Sequence, residues 1–402
     1  MSRSVDPEWA ENWRPLLGCW VGMGIGIHSL ALYTQSIFFP SLEAAFGWDR
    51  TYLSLGPTIL VVSLAIASPF AGALLDRGPV RLLTCASAVA IAAGFLGLAR
   101  MNGSIISFYV ILCLMAIAGA ACSTLAFSRV VNSQFDRRRG TALGLAMTGT
   151  GAAATLSPII VANIIASEGW RAGYSLLAAV TMCAVPLLML LLPAQSTRAD
   201  SNPAVPAGDR TENCGMLAVL WKLAVAFTLV PLAVSGLLAH FVPMLVDSGM
   251  TLREASMYAA VVGLTVAIAR LVTGLLVDRF FAPWIAFSLF ALSAAGLLLF
   301  VFLGTTFAFL GALAVGLSIG AEIDLIGYLT ARYFGMRQYG RIYGWLYSAC
   351  LVGTALSPLI YGLGHDVLGS YTPTIIGAAF VLAGTAVLFA RLPAYPRRGD
   401  AH

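Results

Sequence analysis

The sequence predicts an all-α membrane protein in which twelve transmembrane helices form two pseudo-symmetric bundles of six. Three observations carry this prediction: an apolar composition, twelve apolar runs of membrane-spanning length, and an internal repeat. Of the 402 residues, 59% are hydrophobic and 10% are charged, whereas a soluble domain is about 45–50% apolar and about 25% charged. The composition therefore excludes a soluble enzyme, a disordered chain and a nucleic-acid-binding protein.

The spans are counted from the apolar runs, because a bilayer core about 30 Å thick requires about 20 apolar residues per helix. The first six are predicted at 16–40, 52–75, 80–99, 104–128, 140–166 and 171–193, and the second six at 217–246, 254–277, 283–303, 307–331, 341–364 and 371–391. A hydrophilic segment between the sets predicts a cytoplasmic linker at 194–215. The predicted domains are therefore an N-terminal bundle at 1–193 and a C-terminal bundle at 216–402.

The basic residues lie mainly on one side of the predicted spans. Eighteen of the 23 Lys and Arg fall on the side of the N-terminus and four on the opposite side. By the positive-inside rule, we expect a multi-pass protein of the cell (inner) membrane with both termini in the cytoplasm. The seven cysteines have no metal-like spacing, so we expect no disulfide, metal or cofactor. We further expect a monomer that binds no nucleic acid.

An internal repeat relates the two sets of spans. Three anchors recur in the same order about 200 residues apart: a Pro at the ends of spans 1 and 7, a Gly-x3-Asp-Arg motif after spans 2 and 8, and a Gly-x3-Gly motif with Ser-Pro in spans 5 and 11. Two six-helix halves of like orientation are a transporter design with the binding site near the bilayer midplane. The Asp-Arg pairs, Asp76 with Arg77 and Asp278 with Arg279, are candidate gating residues, or simply loop charges.

One cation lies inside a predicted span. Arg270 precedes the end of span 8 by eight residues, or about 12 Å, which places it near the middle of a core whose half-thickness is about 15 Å. Burying Arg there costs at least about 2.5–3.5 kcal/mol, and its planar guanidinium suits bidentate capture of a carboxylate. We therefore expect Arg270 to bind the carboxylate of a substrate. The alternative is a permanent ion pair with an intramembrane acid.

Two acids are candidates for such a pair or for proton coupling. Glu322 and Asp324 in span 10 lie about 15 and 12 Å from the end of the span, and they project about 200° apart on a helix. Either acid can carry a proton, and the sequence does not distinguish them. His28 in span 1 is a further candidate for proton coupling. Polar side chains elsewhere in the spans are candidate substrate contacts, namely Tyr33, Gln35, Tyr328 and Tyr347.

Several stretches resemble a known family. The segment Gly72–Arg81 resembles the cytoplasmic loop signature of the major facilitator superfamily. The segment Phe135–Gly149, and Thr265–Arg270 followed by Gly274, are similar to the monocarboxylate transporter and oxalate/formate antiporter branch. The resemblance implies the major facilitator fold, secondary transport without enzymatic activity, and an Arg270 that binds a substrate carboxylate. This sequence departs from the family at two places. Val266 stands where animal members have an Asp, and Thr34 and Gln35 stand near the position at which they have a Lys in span 1.

Together these patterns predict a secondary active transporter of small organic monocarboxylates. The expected mechanism is proton-coupled symport by rocker-switch alternating access. A single cavity Arg balances a monoanion better than a dianion. Two alternatives have the same fold: a proton-coupled exporter of drugs or metabolites, and a carboxylate anion exchanger.

Overall fold

The computed structural model describes residues 7–194, 210–304 and 307–395, and the regular structure in these ranges is entirely helical. The predicted all-α fold is confirmed. The chain forms two compact units, one of Met1–Ser201 with Gly340–Gly344 and the other of Asn202–Tyr339 with Trp345–His402.

The α-helices are numbered in chain order. The first eight are α1 (Pro7–Ile25), α2 (Phe39–Phe46), α3 (Arg50–Arg77), α4 (Val80–Ala99), α5 (Ile105–Gly119), α6 (Thr124–Gln134), α7 (Arg139–Glu168) and α8 (Trp170–Leu191). The others are α9 (Arg210–Asp247), α10 (Leu252–Val277), α11 (Ala282–Leu303), α12 (Ala308–Phe334), α13 (Tyr339–Leu368) and α14 (Thr372–Ala390).

Twelve helical segments in the described ranges are long and apolar enough to cross a membrane, in agreement with the predicted number. The predicted linker lies mostly outside the described residues, which omit 195–209. Helix α9 begins at Arg210, within the range predicted for the linker. A helix can extend beyond the bilayer core, since intrahelical hydrogen bonds satisfy its backbone in water as in lipid.

Two spans of the first unit are interrupted. In span 1, the α-helix α1 ends at Ile25. The chain continues as a π-helical turn at His28–Leu32 and a 3-10 turn at Gln35–Phe38. Span 4 consists of α5 and α6, with a break at 120–123 between them. π-Helical turns within helices are often found at functional sites.

One backbone hydrogen bond joins the two interruptions. The N–H of Ile27 donates to the carbonyl oxygen of Cys122, in the break of span 4, at 3.2 Å. The hydroxyl of Ser29 donates to the carbonyl oxygen of Met23 at 2.5 Å, replacing the α-helical donor, Ile27. The breaks therefore satisfy each other's backbone groups, as the low dielectric of a membrane requires.

In the second unit, α12 packs against α9, α10 and α11. Nearly all of its residues from Ala314 to Ala331 are buried, on every side of the helix. A helix buried all round is a central element of its unit. The two acids of this stretch, Glu322 and Asp324, are therefore held inside the protein.

A side chain from α13 enters the backbone ladder of α9. The Ser357 hydroxyl accepts from the N–H of Gly236 at 2.6 Å and donates to the carbonyl of Leu232 at 2.6 Å. These two groups are the partners of an ordinary helical hydrogen bond, so the hydroxyl bridges a widened turn. Pro231 precedes this turn and lacks an N–H of its own. The hydroxyl of Ser157, the counterpart of Ser357 in the repeat, instead donates to Ala153 of its own helix at 2.6 Å.

Candidate functional site

Helix α10 presents three different faces. Large aliphatic side chains on one face are exposed, such as Leu264 and Ile268, as expected of a lipid-facing surface. The second face is buried against α12. The third face carries Arg270 and the small residues Gly263 and Ala267. Both small residues are exposed, and a Cβ on Gly263 would meet no described atom within 4 Å. The small residues therefore leave open space along the helix on the side of Arg270.

Glycines bring α10 and α12 into close contact. A Cβ on Gly316 would lie 2.8 Å from the carbonyl oxygen of Val262, and one on Gly320 would lie 2.7 Å from that of Val266. Asp324 follows Gly320 by one turn on the same face of α12. The next turn of α10 in this register contains Arg270 and Thr273. Asp324 is thus placed on the face that meets the helix of Arg270.

Three charged side chains are buried in this part of the second unit: Arg270 is 5% exposed, Glu322 4% and Asp324 3%. Among the residues that the structure describes, none hydrogen-bonds the Nη1 of Arg270 or either carboxyl oxygen of Asp324. No described carboxylate lies within ion-pair distance of Arg270. Both acids nevertheless lie in its Coulombic field. The guanidinium is therefore close enough to interact electrostatically with two acids without being bonded to either.

Glu322 has a different environment from Asp324. The Sγ of Cys350, on α13, lies 3.0 Å from Oε1 of Glu322, and the thiol is its donor. Cys350 is itself buried. A thiol is a weak donor but satisfies one lone pair of the carboxylate. The predicted divergence of the two acids agrees with these surroundings, since Asp324 lies on the face towards α10 and Glu322 contacts α13.

The two candidate tyrosines of the second unit, Tyr328 and Tyr347, lie on α12 and α13. The hydroxyl of Tyr328 donates to the carbonyl oxygen of Val277, at the end of α10, at 2.7 Å. That contact uses the one proton of the hydroxyl and leaves only its lone pairs for a ligand. Tyr347 is buried, three residues before Cys350 and therefore on the same side of α13. The proposed substrate contacts of both residues stay predictions.

The candidates of the first unit lie at the interruption of span 1. His28 begins the π-helical turn, and its ring meets that of Tyr33 edge-on, with centroids 5.9 Å apart. Gln35 is buried, and neither its amide nitrogen nor its amide oxygen has a hydrogen-bond partner among the described residues. A Cβ on Gly56 would lie 2.4 Å from that nitrogen, so the amide is pressed against α3. The structure groups these three residues within one broken segment.

The gating candidates occupy unequal positions. Asp76 forms an ion pair with Arg129 of α6 and accepts hydrogen bonds from the backbone N–H groups of Gly340 and Arg341 at 2.8 Å each, all within the first unit. Arg77, the other gating candidate of the motif, is exposed, and its role in gating stays a prediction. Carboxylates at a helix N-terminus are favoured by the free N–H groups and by the helix dipole. Asp76 therefore joins α3, α6 and the first turn of α13.

The second copy of the motif is more open. Asp278 is half-buried just after the last turn of α10, and Arg279 is exposed. The Asp-Arg motif thus occurs twice in the sequence, but its two copies lie in different surroundings. The roles of Asp278 and Arg279 in gating stay predictions.

The chain also matches a known protein family. The family model of the Major Facilitator Superfamily matches residues 21–358. The chain belongs to this superfamily. It is therefore a multi-pass membrane transporter and not an enzyme, and the predicted major facilitator fold is confirmed.

Several relatives match most of the chain. An uncharacterized 38 kDa protein of Thermoproteus tenax is 30% identical and covers 90% of this chain, which covers 92% of that protein. Monocarboxylate transporter 11 of Homo sapiens is 27% identical, with 89% of this chain and 77% of that protein covered. The resemblance to monocarboxylate transporters is therefore confirmed as distant similarity.

Solved structures support the fold alone. The human organic anion transporter MFSD10 has a TM-score of 0.74 at 15% identity, covering 96% of this chain and 100% of that chain. The fucose:proton symporter of E. coli has a TM-score of 0.73 at 18% identity, covering 94% and 98%.

Three residues of this superfamily member were missed by sequence reasoning. Arg129 is the ion-pair partner of Asp76, Cys350 is the donor to Glu322, and the buried hydroxyl of Thr273 has no described partner beside Arg270 on α10. Thr273 follows Arg270 by three residues, so helical spacing pointed to it. Arg129 and Cys350 act through contacts between distant helices, for which the sequence carries no local signal.

Proposed function

We propose that this protein is a secondary active transporter of small organic monocarboxylates that moves its substrate together with a proton. Transport proceeds by alternating access, as two halves rock around a central substrate. The single observation that carries the proposal is the buried guanidinium of Arg270, which has neither an ion-pair partner nor a hydrogen bond to Nη1 among the described residues. The distant similarity to monocarboxylate transporters supports the same substrate class.

Electrostatics favours an anion at Arg270. A buried cation without a bonded partner is costly, and an anion that forms charge-assisted hydrogen bonds with it offsets that cost. Carboxylates match the guanidinium because two parallel N–H donors meet two oxygens. Open space lies beside Gly263, two turns before Arg270 on the same face of α10, and we propose that the organic group of the substrate lies on this side.

Charge balance favours a monoanion and a proton. Without substrate, one ionised acid of the pair Glu322 and Asp324 neutralises Arg270. A bound monocarboxylate takes over that neutralisation, so the remaining carboxylate is uncompensated unless it takes up a proton. Each monocarboxylate therefore enters with one proton. A dicarboxylate would leave an additional negative charge buried.

The membrane orientation follows from the basic residues. We propose that the protein lies in the cell membrane as a monomer with both termini in the cytoplasm, because 18 of its 23 basic residues fall on that side. Asp76 would then hold the first turn of α13 at the cytoplasmic side. We propose that this contact stabilises one state of the gate, and Asp76→Asn should change the rate of transport more than the affinity for substrate.

The experiment is uptake of radiolabelled carboxylates into proteoliposomes, with and without an inward proton gradient. The panel contains aliphatic and aromatic monocarboxylates, a dicarboxylate and neutral amide analogues. We expect the gradient to drive accumulation of monocarboxylates, and Arg270→Met to abolish it. Arg253→Met is the matched control, because Arg253 lies exposed in the first turn of the same helix.

Other outcomes would identify other functions. Uptake that requires internal carboxylate and ignores the gradient would show an anion exchanger. Transport of neutral or cationic compounds against an opposite proton flow would show an exporter. Normal accumulation by Arg270→Met would refute the proposed anion site.

A further inference from the structure

The two buried acids of α12 differ in their hydrogen bonds. Oε1 of Glu322 accepts from the Cys350 thiol at 3.0 Å, whereas neither oxygen of Asp324 has a partner among the described residues. Both carboxyl groups are almost completely buried and both lie in the field of Arg270. The two carboxyl groups are therefore alike in burial but differ in the thiol donor.

A hydrogen-bond donor stabilises the ionised form of a buried carboxyl group. Glu322 has such a donor, so its ionised form is accessible inside the unit. Asp324 has none, and ionisation would leave a buried carboxylate without any hydrogen bond. An ionised Glu322 would therefore keep one hydrogen bond inside the unit, whereas an ionised Asp324 would have none among the described residues.

Among the described residues, the titratable groups that interact with Glu322 are Cys350 and Arg270. α11 contains no titratable residue. On α9, the ammonium group of Lys222 donates a hydrogen bond to the carbonyl oxygen of Arg391 at 3.3 Å. The Nε2 atom of His240 lies 3.2 Å from the carbonyl oxygen of Pro358. α10 contributes Arg270, whereas α13 contributes Cys350 and, on the same side, Tyr347.

We propose that Glu322 is the proton carrier of this transporter, that Cys350 is the positioning residue that sets its protonation, and that Asp324 stays neutral throughout the cycle. This assignment rests on the proposed proton-coupled function. In the empty site, the ionised Glu322 balances Arg270 and accepts the S–H of Cys350 at Oε1. When a monocarboxylate binds to Arg270, a proton from water bonds to Oε2 of Glu322. When the substrate leaves, that proton returns to water, and the S–H bond of Cys350 never breaks.

The acids are tested by comparing Glu322→Gln with Asp324→Asn in proteoliposomes. We expect Glu322→Gln to accumulate at least tenfold less substrate under the proton gradient than the wild type. It should keep counterflow exchange, because exchange requires no net proton movement. Asp324→Asn should keep the response to the gradient within about twofold, because an amide resembles a neutral carboxyl group. Counterflow also shows that each variant is folded. The reverse pattern would overturn the assignment.

The thiol is tested by the pH profile of uptake. Loss of a donor to the ionised form favours protonation, so Cys350→Ala should move the half-maximal pH of uptake upwards by about one unit. Cys350→Ser restores a donor and should return the midpoint to that of the wild type. Cys183→Ala is the control, because Cys183 is exposed. An unchanged midpoint in Cys350→Ala would refute the role of the thiol. If the wild type takes up no carboxylate at all, the proposed function itself fails.

Discussion

Replacement of Arg270 by Met tests whether this side chain serves binding or structure. Arg270 is 5% exposed, and no described group bonds its Nη1. Burial of Arg at the middle of a membrane costs at least about 2.5–3.5 kcal/mol, and Met is a long apolar side chain that fills a similar space. Part of the cost is offset by attraction to the ionised Glu322. We therefore expect Arg270→Met to raise the free energy of unfolding by about 1–3 kcal/mol while transport is lost.

A structural ion pair would give the opposite sign. Removing one partner of a buried pair destabilises a protein by about 3–5 kcal/mol, because the other charge stays buried and unpaired. The assay is equilibrium unfolding by SDS in mixed micelles, followed by tryptophan fluorescence. The exposed control Arg253→Met should change the free energy of unfolding by less than about 0.5 kcal/mol. Destabilisation of Arg270→Met by several kcal/mol would refute the view that Arg270 is held for an incoming anion.

Two further predictions concern packing and use the same assay. Gly320→Ala should destabilise the protein by about 1–3 kcal/mol, because its Cβ would lie 2.7 Å from the carbonyl oxygen of Val266 on the facing helix. Gly263→Ala, at an open position, should be near neutral. Equal effects of the two substitutions would contradict the close packing of α10 against α12. Ser357→Ala should cost about 1–3 kcal/mol, because it leaves two buried backbone groups without their bridge. Ser157→Ala, whose hydroxyl bonds only its own helix, should cost less, and a larger loss there would contradict this reasoning.

The number of spans was predictable because the bilayer imposes a minimum length on every apolar run. The breaks in spans 1 and 4 were not predictable in the same way. Hydropathy averages over side chains, whereas the breaks depend on which carbonyl receives the N–H of Ile27. That carbonyl belongs to Cys122, which lies on another span. Continuous apolar sequence therefore sets where the chain crosses the membrane but not whether the crossing is one regular helix.

The candidate site was predictable where a residue's depth alone made it unusual. Arg270, Glu322 and Asp324 are charges in apolar runs, and counting 1.5 Å per residue from the span ends placed them near one level. Cys350 and Arg129 were not predictable, because a cysteine in an apolar run and an arginine at its end are both ordinary. Their importance comes from the acids they meet, Glu322 and Asp76, on other helices.

Helix geometry also explains why two acids leave Arg270 unpaired. Residues two apart on α12 diverge by about 200°, so Glu322 and Asp324 cannot both turn towards one guanidinium. Glu322 is held by the thiol of α13 instead, and Asp324 stands on the face towards α10 without a bonded partner. Arg270 and the ionised Glu322 are thus kept near each other without forming the ion pair that would stabilise them most. A protein selected for stability alone would form that pair, whereas a transporter must leave the cation available to a substrate that binds and departs in every cycle.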